Sequence, residues 1–136
     1  MIDIITLRVP GEPQGKLRPK WSPVGTYTPK KTINYETYIK QLFATKYPSF
    51  QPLEGELTLE LGIYQTIPKS FSKKKKDLME RRIVRPTKRP DIDNVIKSVF
   101  DALEGLAYKN DSQFIEVAAS KFFDLEPRLN IRITKG

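Results

Sequence analysis

The chain has 136 residues with 24 Lys/Arg against 16 Asp/Glu, a formal net charge of +8, and contains neither cysteine nor histidine. That composition excludes thiolate nucleophiles, disulfides, Cys/His zinc sites and any imidazole base, so acid-base or metal chemistry must use carboxylates, lysine or water. The length suits one domain, residues 1–136, with a real core.

Residues 1–10 hold Asp3 and no basic stretch ahead of a long apolar run, unlike a secretory leader. No apolar run approaches the roughly 20 residues of a membrane span. The expectation is a cytoplasmic protein with no membrane partner and no small-molecule cofactor.

Residues 2–9 are aliphatic and β-branched and stop at Pro10-Gly11, which predicts a strand. Residues 10–30 are interrupted by Pro10, Pro13, Pro19, Pro23 and Pro29 with Gly11, Gly15 and Gly25, which predicts a long basic loop. Tyr35, Tyr38, Ile39, Leu42 and Phe43 recur at helical spacing, predicting an amphipathic helix over 33–46. Leu57, Leu59, Leu61 and Ile63 alternate with polar residues or glycine, predicting a strand that ends by Pro68.

A short basic helix is predicted over 72–83, capped by Ser70 or Ser72, although four adjacent lysines repel one another. A stronger helix follows over 93–106, with Val95, Ile96, Val99, Phe100, Ala102, Leu103 and Leu106 on one arc and Gly105 near its end. Residues 114–123 and 128–134 read as strands. The sum is an α+β domain with a small mixed sheet of about four strands covered by helices.

The charge is not evenly spread. Lys69–Arg89 carries ten basic residues and only Asp77 and Glu80, so the remaining 14 basic and 14 acidic residues cancel. Such a segment suits a polyanionic partner; a solvated lysine-rich loop is the plainer alternative.

Directly after it come Asp91 and Asp93, two residues apart and entering a helix, so both side chains leave on one side. Hard divalent cations take oxygen ligands, and Mg²⁺ commonly uses one or two protein carboxylates. Asp111 supplies a third oxygen if the helix packs antiparallel to the next strand and residues 105–110 fold back along it. Lys97 lies one turn beyond Asp93, placed to neutralise charge on a transferring phosphoryl group or to hold the attacking water. Each residue also has an ordinary use: Asp93 as helix cap with Lys97 as its ion-pair partner, and Asp111 as a turn aspartate. Together, beside the basic segment, they favour a metal-dependent phosphodiesterase.

The run Arg89-Pro-Asp-Ile-Asp-Asn-Val-Ile-Lys-Ser-Val-Phe-Asp-Ala-Leu-Glu-Gly-Leu, with Gly11-Glu-Pro-Gln, Lys16, Arg18, Pro19 and Lys20 earlier, resembles the RusA-type Holliday junction resolvases. These are Mg²⁺-dependent bacterial and phage endodeoxyribonucleases. The resemblance implies Asp91, Asp93 and Asp111 as metal-binding catalytic residues and Lys97 as catalytic lysine, with Asp101, one turn beyond Lys97, as a supporting residue that orients it. The turn departs from the common pattern in having Asn110 where many relatives carry a further aspartate.

The resemblance also implies a homodimer acting on four-way junctions in DNA recombination and repair. Lys16, Arg18, Lys20, Lys88 and Arg89, with Lys73, Lys74, Lys75 and Lys76 further out, are the expected DNA-binding residues. Trp21, Tyr27 and Phe100 are candidates for base stacking, though aromatics more often serve the core. Two alternatives stay open: a non-enzymatic branched-DNA-binding protein, and a generic Mg²⁺ nuclease of prophage origin without junction preference.

Overall fold

Burial alternates along the first strand, β1 (Ile4–Pro10), where Ile5, Leu7 and Val9 are buried and their neighbours exposed. The computed structural model describes residues 3–136, so the first residue of the predicted strand lies outside the described residues. After the 11–19 loop come β2 (Lys20–Ser22) and β3 (Gly25–Tyr27), then α1 (Lys30–Lys46). β4 (Leu57–Thr66), α2 (Lys73–Glu80), α3 (Ile92–Leu103), β5 (Phe114–Asp124) and β6 (Arg128–Lys135) complete the chain.

The main sheet has the order β1-β6-β4-β5, antiparallel except for the β4–β5 pair, which is parallel. Parallel neighbours require a crossover, and the α2–α3 segment supplies it. One sheet face is apolar: Ile5, Leu7 and Val9 meet Leu59, Leu61, Ile63, Leu129, Ile131 and Ile133 with Tyr35, Ile39 and Phe43 of α1 and Val95, Val99 and Leu103 of α3. Each fully buried aliphatic side chain of this kind contributes about 1.5–3 kcal/mol. The apolar faces of α1 and α3 are therefore buried in the chain's own core. The other sheet face is an open groove floored by residues such as Arg8, Glu60, Tyr64 and Arg132.

Several predicted boundaries move. α1 begins three residues early, directly after Pro29, with Thr32 buried and its Oγ1 accepting a 3.0 Å bond from Leu17 N–H. Ser72, not Ser70, caps α2 by accepting from Lys75 N–H, and buried Met79 anchors that helix. α3 stops at Leu103, with Gly105 at φ +84° just past the end and Leu106 beyond it, partly exposed. The predicted loop contains the β2–β3 hairpin, closed by Ser22 Oγ donating to Gly25 O at 2.8 Å. Among the described residues, no helix is long and apolar enough to cross a membrane.

Candidate active site

The parallel β4–β5 pair ends beside the start of α3, and the segment between them is fastened there by side chains from both strands. Gln65, near the end of β4, donates through Nε2 to Arg89 O at 3.3 Å. Lys121 of β5 donates through Nζ to Lys88 O at 2.6 Å. From the other side Lys16 N–H donates to Asn94 O at 2.9 Å, and Ser98 Oγ donates to Gln14 O at 3.2 Å. The approach is close at Gly15, where a Cβ would sit 2.9 Å from Asn94 Cβ and 3.2 Å from Pro90 Cβ. The Arg89–Pro90 peptide is cis.

This segment presents Asp91 and Asp93 to solvent. Asp91, not Asp93, occupies the N-cap position of α3, in extended backbone, and its side chain makes no capping bond. Among the described residues neither aspartate is in an ion pair, and neither is Lys97, which is exposed one turn further along. The predicted Asp93–Lys97 surface pair is thus absent. Two carboxylates without a structural partner at the N-terminus of a helix, where the peptide dipoles favour negative charge, are a donor set that fits a hard divalent cation.

Lys121 was not found from the sequence. It lies opposite Ile63 in the β4–β5 register and so faces the helices from an inward strand position. Burial pulls its pKa below the ordinary lysine value, while the negative charge of nearby Asp91 works against that. The signal available in sequence is one lysine at a position that shares a strand face with Ile115, Val117 and Ala119.

Lys16 and Asp101 take different places from those expected. Lys16 Nζ pairs with Asp101 and lies 3.9 Å from Glu36 Oε1, so it ties the 11–19 loop to α1 and α3. Its own pKa is raised, chiefly by the hydrogen bond to Asp101. Asp101 therefore holds Lys16, not Lys97. Arg18, Lys20, Lys73, Lys74, Lys75, Lys88 and Arg89 are exposed, and Lys76 is half-buried. The segment after α2 is held against the end of β5, with Arg82 bridging Asp124 at 3.3 Å and Arg85 Nε donating to Lys121 O at 2.8 Å. The basic segment and the two aspartates consequently share one end of the sheet. Trp21 and Tyr27 are exposed on the β2–β3 hairpin, whereas Phe100 packs against Phe114 with ring centroids 4.7 Å apart.

Asp111 lies at the other end. It opens a single 3₁₀ turn immediately before β5, and its N–H donates to Glu104 Oε1, just past the C-terminus of α3. Gln113 beside it donates to Leu53 O and Gly55 O, ahead of β4. The 12 residues of α3 span roughly 18 Å, and Asp91 stands at the opposite terminus of that helix. Among the described residues no three acidic side chains converge closely enough to hold a metal ion. The structure brings Asp91, Asp93, Lys97 and Lys121 to one end and leaves Asp111 a helix length away.

A family model described as Endodeoxyribonuclease RusA matches residues 10–134. The chain belongs to the RusA family. The matched RusA region covers both ends just described, from the 11–19 loop through Asp91, Asp93 and Asp111 to β6. The chain is also 37% identical over 138 residues to the uncharacterized protein YqaN of Bacillus subtilis (strain 168), covering 97% of this chain and 96% of that one.

Proposed function

We propose that the chain is a divalent-metal-dependent endodeoxyribonuclease that resolves four-way DNA junctions by hydrolysing phosphodiester bonds. The observation that carries this reading is the exposed Asp91–Asp93 pair, free of capping bonds and ion pairs among the described residues, at the sheet end where the basic segment gathers. Membership of an endodeoxyribonuclease family supports the reaction class.

Asp91 and Asp93 would hold Mg²⁺, which supplies Lewis-acid polarisation of the phosphate and a more acidic bound water. Lys97, one turn from Asp93 and without an ion-pair partner among the described residues, stabilises negative charge on the phosphoryl oxygens. Lys121 and Gln65 fix the Lys88–Arg89 backbone just ahead of Asp91, so the carboxylates need little reorganisation when substrate arrives. Arg18, Lys20, Lys73–Lys76, Lys88 and Arg89 meet backbone phosphates, giving affinity that falls steeply with salt and carries little sequence information. Trp21 and Tyr27 offer stacking surfaces to unpaired bases at the branch point.

The test is cleavage of a synthetic four-way junction compared with flap and linear duplex DNA, with Mg²⁺ and with EDTA. Metal-dependent nicking of the junction is expected, abolished in Asp93→Asn, while junction binding in Ca²⁺ survives. Cleavage retained by Asp93→Asn sinks the assignment, and equal cutting of all three substrates removes the junction preference.

A further inference from the structure

Polar atoms left without partners gather beside the first turns of α1. Tyr35 is only 6% exposed, yet its Oη has no hydrogen-bond partner among the described residues, and neither has the buried Oε1 of Gln14. Both residues line an open cavity of about 410 Å³ whose other walls are Lys30, Lys31, Asn34 and Tyr38. Buried polar atoms are rarely left unmet in native folds, and here two border the same cavity. Burial keeps the Tyr35 phenol protonated far above its ordinary value, so its hydroxyl is a donor.

The mouth of the cavity attracts anions. α1 starts directly behind Pro29 with no side-chain cap and no acid in its first turn, and the N–H groups of Lys30 and Lys31 have no acceptor among the described residues. Peptide dipoles make that end positive, and the two exposed lysines, without ion-pair partners among the described residues, add to it. The nearby carboxylates are engaged elsewhere: Thr66 N–H and Oγ1 donate to Glu12, and Glu36 lies beside Lys16. Tyr35 stands four residues beyond Lys31, about 6 Å along the helix axis, so the anion end and the unmet polar atoms are one turn apart.

The cavity also adjoins the aspartates. Gln14 O accepts from Ser98 Oγ, and the next residue, Gly15, lies against Pro90 and Asn94, which flank Asp91 and Asp93 in the chain.

We propose that this cavity is a nucleotide subsite, in which Lys30, Lys31 and the N-terminus of α1 hold a strand phosphate while Tyr35 Oη and the amides of Gln14 and Asn34 hydrogen-bond the edge of its base. An amide offers a donor and an acceptor in one plane, which matches a base edge. A base enters such a cavity only by leaving its stack, and that costs least where pairing is already interrupted. The subsite thereby gives a branch point an advantage over continuous duplex. The identity of the occupant rests on the nuclease reading above, whereas the cavity and its unmet polar atoms do not.

Binding of a short fluorescein-labelled single strand is followed by anisotropy in EDTA, where no metal-dependent cleavage intervenes. Tyr35→Phe keeps the ring and removes only an unpartnered hydroxyl, so its Tm should equal or exceed that of wild type while affinity for the strand falls about 3- to 10-fold. Gln14→Leu should lose a similar factor. With an abasic sugar–phosphate strand of the same length, both variants should bind as wild type does. Lys31→Ala should weaken binding of both strands and reduce the salt dependence by about one unit of slope. Lys40→Ala, the same charge change roughly 14 Å further along α1, should leave the slope unchanged.

Tyr35→Phe and Gln14→Leu that bind the base-bearing strand as tightly as wild type, or that lose the abasic strand equally, overturn the subsite; the nuclease reading stands if wild type still cleaves junctions in Mg²⁺. If wild type cuts no DNA, the nuclease reading fails, and the anisotropy titrations still decide the subsite. A free deoxynucleoside monophosphate carries the same groups, and its displacing the strand at micromolar concentration would mark a site for a diffusible nucleotide and overturn the assignment to a strand.

Discussion

Lys121 Nζ donates a 2.6 Å hydrogen bond to the carbonyl of Lys88, which ties an inward residue of β5 to the backbone three residues before Asp91. The bond makes the position of the carboxylates depend on the sheet as well as on the helix they begin. Lys121→Met keeps the apolar stem and removes the donor. Because small displacements of catalytic groups are costly, kcat for junction nicking should fall about 10- to 100-fold with little change in KM. Lys121→Arg should recover part of the loss. Arg and Met variants that lose equal activity and equal stability would leave the lysine a purely structural role.

Asp91 separates capping from chemistry. Replacing a capping aspartate by alanine costs about 1 kcal/mol. Asp91 makes no capping bond, so Asp91→Ala should change the urea-unfolding free energy by less than about 0.5 kcal/mol while nicking disappears. A full capping loss without loss of activity would reverse the assignment.

Gly15 is where the 11–19 loop rides closest on α3. A methyl there would lie 2.9 Å from Asn94 Cβ, an atom fixed by the helix backbone. Gly15→Ala should lose about 1–3 kcal/mol of stability, the usual cost of overpacking. It should also weaken junction binding, because Arg18 and Lys20 follow directly in the displaced loop. Denaturant titration and a gel shift measure the two effects separately.

Glu36 gives a pH dependence with a definite sign. Burial raises its pKa, opposed by the positive charge of Lys16, and its Oε2 is buried without a hydrogen-bond partner. The folded state thus holds this proton to higher pH than the unfolded state does. Its contribution to stability falls as pH rises from the ordinary value of 4.5 through the raised one, and stays lower above it. Glu36→Gln removes that fall, and Lys16 keeps Asp101 as partner. Urea unfolding of both proteins from about pH 4 to pH 7 should show the variant gaining on wild type as pH increases.

What could be read from the sequence was local. The 3.6-residue spacing of Tyr35, Ile39 and Phe43, and of Val95, Val99 and Leu103, marked both core helices. The period-two runs marked β4 and β6, and the aliphatic, β-branched run stopped by Pro10-Gly11 marked β1. Asp91, Asp93 and Lys97 were legible together because they fall within two turns of chain, so their relative placement is set by backbone geometry alone. Pro19, Pro23 and Gly25 predict a loop and give no sign of the β2–β3 hairpin, yet Ser22-Pro23-Val24-Gly25 is itself the turn that joins two short strands.

Tertiary structure alone decided which distant residues meet. Strand order and the parallel β4–β5 pairing arise from how the whole apolar face is covered, a sum over many contacts that no single segment encodes. That packing brings Lys121 and Gln65 to the Lys88–Arg89 backbone, turns Lys16 toward Asp101, and leaves β5 at an open edge. It also places Asp111 at the far end of α3, because β5 begins where α3 ends and runs back along it, which leaves Asp111 beside the C-terminus of the helix and Asp91 at its N-terminus. The sequence by itself marked three aspartates and a lysine as candidates for metal-dependent chemistry; the fold brings only Asp91 and Asp93 of the three aspartates together, because they share one turn of chain while Asp111 follows a whole helix later.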